Sequence, residues 1–128
     1  MKILDLPLKA KWYEMIESGI KTEEYREIKP YWDKRLLDYK RIKRYIDDNR
    51  KELITKRLLF PNRPVIEDVC SSFPRGYTHV RFRYGYTKRT MLREIESITF
   101  GFGNPEWGAP EDEQVFIIKL KPMKGGEK

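Results

Sequence analysis

One stretch decides the fold of this chain: Gly19-Ile20-Lys21-Thr22-Glu23-Glu24-Tyr25-Arg26. We predict a strand over residues 21–28, directly after a glycine that ends an amphipathic helical pattern. Because side chains alternate along a strand, Thr22, Glu24 and Arg26 share one face. Lys21 lies where the chain leaves the helix, so its long side chain can reach that same face. Such a charged cluster in a cleft is a candidate functional site, whereas on an open surface it is an ordinary ion pair of little energetic value.

The residues before this stretch predict a short strand followed by one helix. Residues 3–6 are short, apolar and bounded by a proline, which fits a first strand. From residue 9 to residue 18, apolar side chains recur at intervals of three and four, which describes a helix with one buried face. Gly19 supplies the left-handed residue that commonly ends such a helix. Trp12 lies on the apolar stripe, so we interpret it as a core residue rather than as a platform for a stacked base.

The second half of the sequence predicts three further strands. Apolar and polar side chains alternate over residues 78–86, 92–102 and 115–120. Gly101 and Gly103 indicate a bulge or bend near the end of the second of these strands. Together with the first two strands, this pattern predicts an α+β fold. We expect a small mixed or antiparallel β-barrel of about five to six strands with flanking helices.

All of the excess positive charge lies in one segment. The chain has a net charge of +7, and residues 34–63 hold eleven basic and four acidic residues, which accounts for the whole excess. Apolar residues recur at helical intervals through residues 34–59, so we predict one long helix, or two shorter ones broken near residues 47–49. This basic helical insertion is either an ordinary solvated helix face or a surface that faces nucleic-acid phosphates. The second interpretation assigns contacts with the nucleic-acid backbone to Lys40, Arg41, Lys43 and Arg44.

Composition limits the class of protein. At 128 residues the chain is interpreted as a single domain, residues 1–128. It has no run of about 18 apolar residues and no leader pattern, so we expect no membrane association. Its one cysteine, Cys70, cannot form an internal disulfide, which suits a reducing cytoplasm. His79 is the only histidine, so we expect no metal site and no other cofactor. The oligomeric state is left open.

The pattern Gly-x-Lys-x-x-Glu-x-Arg after a helix resembles the signature of the ASCH domain family, with Gly19, Lys21, Glu24 and Arg26 at its four positions. Residues 82–86, 103–110 and 115–120 resemble a phage and bacterial branch of the same family. The resemblance covers roughly residues 3–33 and 77–121 and implies a β-barrel of the PUA-like type. It also implies a cleft beside the barrel into which the lysine, the glutamate and the arginine point, and a role in binding RNA or nucleotides.

The resemblance further implies which reactions such a cleft can carry. One group of small ASCH proteins deacylates acetylcytidine with a lysine, a threonine and a glutamate, and another is associated with RNA cleavage. Lys21 matches the lysine of the first group, but the position of its threonine holds Glu24. Whether this chain is an enzyme, of an amidohydrolase-like or ribonuclease-like kind, is left open. If it is, Lys21 and Glu24 are the expected catalytic pair.

Three functional hypotheses follow. The first is an RNA- or nucleotide-binding module whose ligand contacts Lys21, Glu24, Arg26, Arg83, Tyr86, Asn104 and Trp107. Trp107 lies among turn residues, where it either stacks a base or plugs the end of the barrel. The second is a small hydrolase acting on a modified nucleoside or on RNA. The third is a protein-interaction module whose basic helix docks an acidic partner, and exposed apolar area on that helix would favour it.

Overall fold

The computed structural model of the chain describes residues 1–59, 61 and 75–123. Cys70 and Arg63, which entered the sequence-based expectations, lie outside the described residues. Within them the chain forms five strands, four α-helices and one 3₁₀ turn. In chain order these are β1 (Ile3–Leu8), α1 (Ala10–Glu17), β2 (Glu23–Glu27), α2 (Pro30–Leu36), α3 (Tyr39–Asp48), α4 (Arg50–Leu59), β3 (His79–Tyr84), β4 (Thr90–Gly101), the 3₁₀ turn (Pro105–Trp107) and β5 (Val115–Leu120).

The five strands form one mixed sheet in the order β1-β3-β4-β5-β2. β1 pairs with β3 in parallel, and the other three pairs are antiparallel. The sheet curls into a half-barrel, so the predicted α+β class and the barrel-like curvature are confirmed in this form. β1 and β2 are the two edges of the sheet, although they come first in the sequence, because β3, β4 and β5 are inserted between them.

Two strand predictions differ from the structure. β1 continues through Pro7 to Leu8, where the sequence predicted an end before the proline. An edge strand tolerates this residue because one side of its backbone has no ladder to support.

The bulge in β4 lies between Ile95 and Ser97, so its predicted position at Gly101 or Gly103 is wrong. Ile95 and Ile98 are both buried although they are three residues apart, and an extra residue between them is what lets both face the core. Gly101 stays in register with Val115.

Helix α1 covers one part of the sheet. It packs on β1 and β3 and buries Tyr13 and Ile16, two members of the predicted apolar stripe. Gly19 has a φ of +88°, which confirms that a left-handed glycine ends this segment. The chain then turns so that the backbone N–H of Lys21 donates to the carbonyl of Met15 at 2.9 Å. That bond sets where the Lys21 side chain begins.

The chain divides into two compact units, Met1–Ile28 with Gly76–Lys128, and Lys29–Arg75. The sheet and α1 belong to the first unit, and α2, α3 and α4 belong to the second. Asn49 separates α3 from α4, which confirms the predicted break near residues 47–49. Leu36, Leu37, Ile42 and Leu53 are the buried apolar residues of the second unit among those described. None of the described helices is long and apolar enough to cross a membrane.

Candidate ligand-binding cavity

A cavity of about 250 Å³ opens on the first unit, where the end of β1, the start of α1, β2 and the 3₁₀ turn come together. Its walls combine aromatic rings with charged side chains. The lining residues are Pro7, Leu8, Lys9, Trp12, Glu24, Tyr25, Arg26, Trp107 and Gly108.

Lys21, Glu24 and Arg26 are brought together at this cavity. The Lys21 ammonium nitrogen lies 3.2 Å from one carboxylate oxygen of Glu24, and the Arg26 guanidinium bonds to the other oxygen. Lys21 is 1% exposed and Glu24 is 5% exposed. Glu24 therefore sits between two cations, with its carboxylate in the cavity wall and its desolvation offset from both sides.

Lys21 lies beneath the cavity rather than in its wall. Besides Glu24, its ammonium donates to the backbone carbonyl of Trp107 at 2.6 Å. The same nitrogen lies 5.1 Å from the ring centroid of Trp12 and 4.7 Å from that of Tyr25, both within cation–π range. Burial lowers the pKa of Lys21, and the neighbouring Glu24 carboxylate opposes that shift. The side chain is a sealed cross-link between β2 and the 3₁₀ turn.

Arg26 connects the two edges of the sheet. Beyond its bond to Glu24, its guanidinium donates to the carbonyl of Tyr25 at 2.8 Å and to that of Pro7 at 3.2 Å. Pro7 belongs to β1 and Arg26 to β2, so this one side chain spans the mouth of the half-barrel. Its side chain is 17% exposed, and it is the cation of the cluster that a ligand in the cavity can touch.

Tyr25 and Asn104 hold the loop after β4 against β2. The Tyr25 hydroxyl donates to Glu23 at 2.7 Å and accepts from the backbone N–H of Asn104 at 3.0 Å. Burial raises the pKa of the Tyr25 hydroxyl. The Asn104 side chain in turn accepts from the N–H of Glu106 at 2.9 Å and so caps the 3₁₀ turn. Asn104, expected to contact ligand, is thus engaged in positioning the loop and is not among the residues that line the cavity.

The two tryptophans of this unit face the cavity. Trp107 lines it, as does Trp12, and both are half-buried. The sequence placed Trp12 in the core because it lies on the apolar stripe of α1, and its place in the cavity wall was missed. A signal was present in Gly108, which follows Trp107: an added Cβ there would lie 3.0 Å from the Trp12 ring. Gly108 also has a φ of +103°, so it permits both the turn and the close approach.

Glycine 103 has a related role on the other side of the loop. A Cβ at Gly103 would lie 2.5 Å from the Tyr25 ring and 2.7 Å from the Ala109 side chain. The absence of a side chain lets this loop lie flat against β2. The glycines near the end of β4 therefore serve close packing rather than a bulge.

Arg83 and Tyr86 do not line this cavity. Both belong to the hairpin that joins β3 to β4. The Arg83 guanidinium donates to the carbonyl of Thr87 at 3.0 Å, while Tyr86 is 97% exposed at the tip. Of the residues that the sequence proposed as ligand contacts, Glu24, Arg26 and Trp107 form the wall, and Lys21 lies beneath it.

The four basic residues assigned to nucleic-acid contacts, which belong to the second unit, are all exposed. They lie on α3 and are Lys40, Arg41, Lys43 and Arg44. Arg41 and Arg44 also line a shallow surface pocket of about 200 Å³ together with Tyr45, Asp48 and Asn49. Asp38 caps α3 by accepting from the N–H of Arg41 at 3.2 Å.

Comparison of this chain with protein-family models, curated proteins and solved structures found no match. Within the described part of the chain, no group of three or more histidine, cysteine, aspartate or glutamate side chains is arranged to hold a metal ion.

Proposed function

We propose that this protein binds RNA or a nucleotide-like ligand, with one base held in the cavity formed by Trp12, Glu24, Arg26 and Trp107. The observation that carries the proposal is the meeting of a buried carboxylate, a partly exposed guanidinium and two tryptophans on one small cavity. The resemblance of residues 19–26 to the ASCH signature supports the same function.

The chemistry of the wall suits a base. Each oxygen of the Glu24 carboxylate has two lone pairs, and the pairs that Lys21 and Arg26 leave unused can accept from an exocyclic amino group, as carboxylates do from cytosine. Tryptophan rings offer flat apolar faces on which any base can stack. At about 250 Å³ the cavity is smaller than the roughly 300–1,000 Å³ of drug-sized sites, which favours a single base over a longer segment.

The basic helix adds an electrostatic component. Exposed lysine and arginine side chains on α3 supply the kind of surface that attracts phosphates without reading sequence. Under this proposal the cavity provides base contacts and the second unit provides backbone contacts.

Two variants test the cavity by calorimetric titration with the four nucleosides and their 5′-monophosphates. Glu24→Gln removes the charged acceptor, and loss of a hydrogen bond to a charged group costs about 1.5–3 kcal/mol, or roughly 10- to 150-fold in Kd. Trp107→Leu removes a stacking face while keeping the backbone carbonyl that Lys21 contacts, so it leaves the ion pair in place.

The matched control is Glu96→Gln, which removes a surface carboxylate 3.3 Å from Lys119 in the same unit. We expect the control to bind as the wild type does. The proposal is wrong if the wild-type protein binds none of these ligands, or if both cavity variants bind like the control.

A small hydrolase acting on a modified nucleoside or on RNA is the second candidate. The observation that favours it is the lowered pKa of Lys21, because burial pushes the amine towards its neutral, reactive form. In this structure, however, the nitrogen already donates to Glu24 and to Trp107. Incubation with acetylcytidine and with RNA, followed by chromatography, tests this candidate. Product that is lost in Lys21→Arg but kept in Lys119→Arg would establish it.

A protein-interaction module is the third candidate, favoured by apolar side chains on α4. Ile54 and Leu58 are exposed by 53% and 77%, and they share one face because they are four residues apart. Affinity capture with Ile54→Lys/Leu58→Lys as the comparison tests this candidate. A partner retained by the wild-type protein and lost by this variant would support it.

A further inference from the structure

The tip of the β3–β4 hairpin lies beside the cavity. β1 and β3 run parallel with Leu8 opposite Tyr84, so both strands end at the same edge of the sheet. The N–H of Gly85, the next residue along β3, donates to the carbonyl of Leu8 at 2.7 Å. Leu8 lines the cavity, and Tyr86 follows Gly85 directly. Consecutive Cα atoms are about 3.8 Å apart, so Tyr86 starts within a few ångströms of the cavity rim.

The hairpin tip holds Tyr86 outward on a fixed turn. The N–H of Tyr84 donates to the Arg89 carbonyl at 2.9 Å, and the N–H of Thr87 donates to the Tyr84 carbonyl at 3.1 Å. The Arg83 guanidinium braces the turn through its 3.0 Å bond to Thr87. On this frame Tyr86 is 97% exposed, far more than the other tyrosines of the hairpin region. Single exposed aromatics are common, but this one stands on a braced turn next to a candidate base site.

Two lysines flank the route from the cavity to this ring. Lys9 lies in the cavity wall and is exposed, and Lys88 is exposed on the same turn as Tyr86. Arg89 is engaged elsewhere: its guanidinium pairs with Glu17 at 2.8 Å and lies over the ring of Tyr84. Lys9 and Lys88 are therefore the cations placed to meet phosphates between the cavity and the tip.

We propose that Tyr86 and Lys88 form a second subsite, which holds the nucleotide next to the one whose base enters the cavity. This inference rests on the proposed function and narrows the ligand to a single-stranded nucleic acid of at least two residues. The neighbouring base stacks on the Tyr86 ring, and the connecting phosphate lies near Lys9 and Lys88. A paired base presents neither a free face to Tyr86 nor an edge to the cavity, so a duplex does not fit.

The experiment compares a hexanucleotide with a mononucleotide. The probes are the four nucleoside 5′-monophosphates and the homohexamers of RNA and of DNA, titrated into wild-type protein, Tyr86→Ala and Tyr86→Phe. Stacking of one base on an aromatic side chain corresponds to roughly 5- to 150-fold in affinity. We expect Tyr86→Ala to weaken hexanucleotide binding by this factor, which shrinks the ratio of hexanucleotide to mononucleotide affinity. Tyr86→Phe keeps the ring and should keep the ratio.

The matched control is Tyr77→Ala, because Tyr77 lies just before the opposite end of β3, with Lys2 over its ring. The control should keep the wild-type ratio. A Tyr86→Ala ratio equal to that of the wild type, with mononucleotides still bound, overturns the second subsite and leaves the proposed function standing. Equal losses in Tyr77→Ala and Tyr86→Ala also overturn it. If the wild-type protein binds no mononucleotide and no hexamer, the proposed function itself is wrong, and the subsite falls with it.

Discussion

The substitution Lys21→Met tests whether the buried cation holds the cavity together. The Lys21 nitrogen lies 3.2 Å from Glu24 and 2.6 Å from the Trp107 carbonyl oxygen, and the residue is 1% exposed. Methionine keeps much of the volume but removes both contacts. Breaking a buried ion pair costs about 3–5 kcal/mol. Since Arg26 remains beside Glu24, we expect the lower end, about 3 kcal/mol less free energy of unfolding.

The assay is unfolding by heat and by urea at pH 7, followed by circular dichroism. For a chain of this length, a loss of about 3 kcal/mol lowers the Tm by about 10 °C. The matched control is Lys119→Met, whose partner Glu96 lies 3.3 Å away in a pair that is half exposed. An exposed pair of this kind contributes about 1 kcal/mol or less.

A double-mutant cycle isolates the interaction itself. Glu24→Gln and the double variant Lys21→Met/Glu24→Gln complete it. The double variant should lose less stability than the sum of the two single variants, with a coupling free energy above about 1 kcal/mol. The reasoning is refuted if Lys21→Met melts within about 2 °C of Lys119→Met, or if the cycle shows no coupling.

Three further predictions concern the loop, the hydroxyl of Tyr25 and the basic helix. Gly108→Ala should destabilise the protein by about 1–3 kcal/mol, because a side chain is strained at a φ of +103° and meets the Trp12 ring, whereas Gly76→Ala, with open space around it, should not. Tyr25→Phe should be less stable than the wild type at pH 8, since the Tyr25 hydroxyl loses two hydrogen bonds. That gap should narrow as the pH rises above about 10, because a folded-state pKa above the unfolded value stabilises the native state only while the hydroxyl stays protonated; urea titrations at each pH measure it, and a constant gap contradicts the cause given. Reversing the four basic residues of α3 to glutamate should flatten the dependence of RNA affinity on salt by roughly 0.7 in log–log slope per lost phosphate contact, and an unchanged slope would assign them to a solvated face; they are Lys40, Arg41, Lys43 and Arg44.

Local patterns predicted those parts of the fold that depend on neighbouring residues. Gly19 ends α1 because a left-handed residue is needed there, and Asn49 separates α3 from α4 in the region where the apolar pattern is interrupted. The alternation of Val80 and Phe82 marked β3, since both face the core. The sequence order gave no access to the sheet order, in which the first two strands become opposite edges.

The role of Lys21 shows why the site was only partly predictable. Spacing indicated that its side chain can reach Glu24, and it does. Burial to 1% exposure depends on Trp12, Tyr25 and the 3₁₀ turn, which come from three separate parts of the chain. The same tertiary packing turns Trp12 from a core residue into part of the cavity wall. Charge patterns locate ionisable residues, but which of them meets the ligand is decided by contacts distant in sequence.

The cavity walls and the fold are held by the same bonds, and this governs how function can be separated from stability. Arg26 joins β1 to β2, and Lys21 joins β2 to the 3₁₀ turn, so substituting either loosens the wall whether or not a ligand is present. Trp107 and Tyr86 differ, because their rings make no hydrogen bond to these elements among the described residues. A loss of affinity in Trp107→Leu or Tyr86→Ala at unchanged Tm therefore reports on ligand contact, whereas the same loss in Lys21→Met reports first on the cavity's construction.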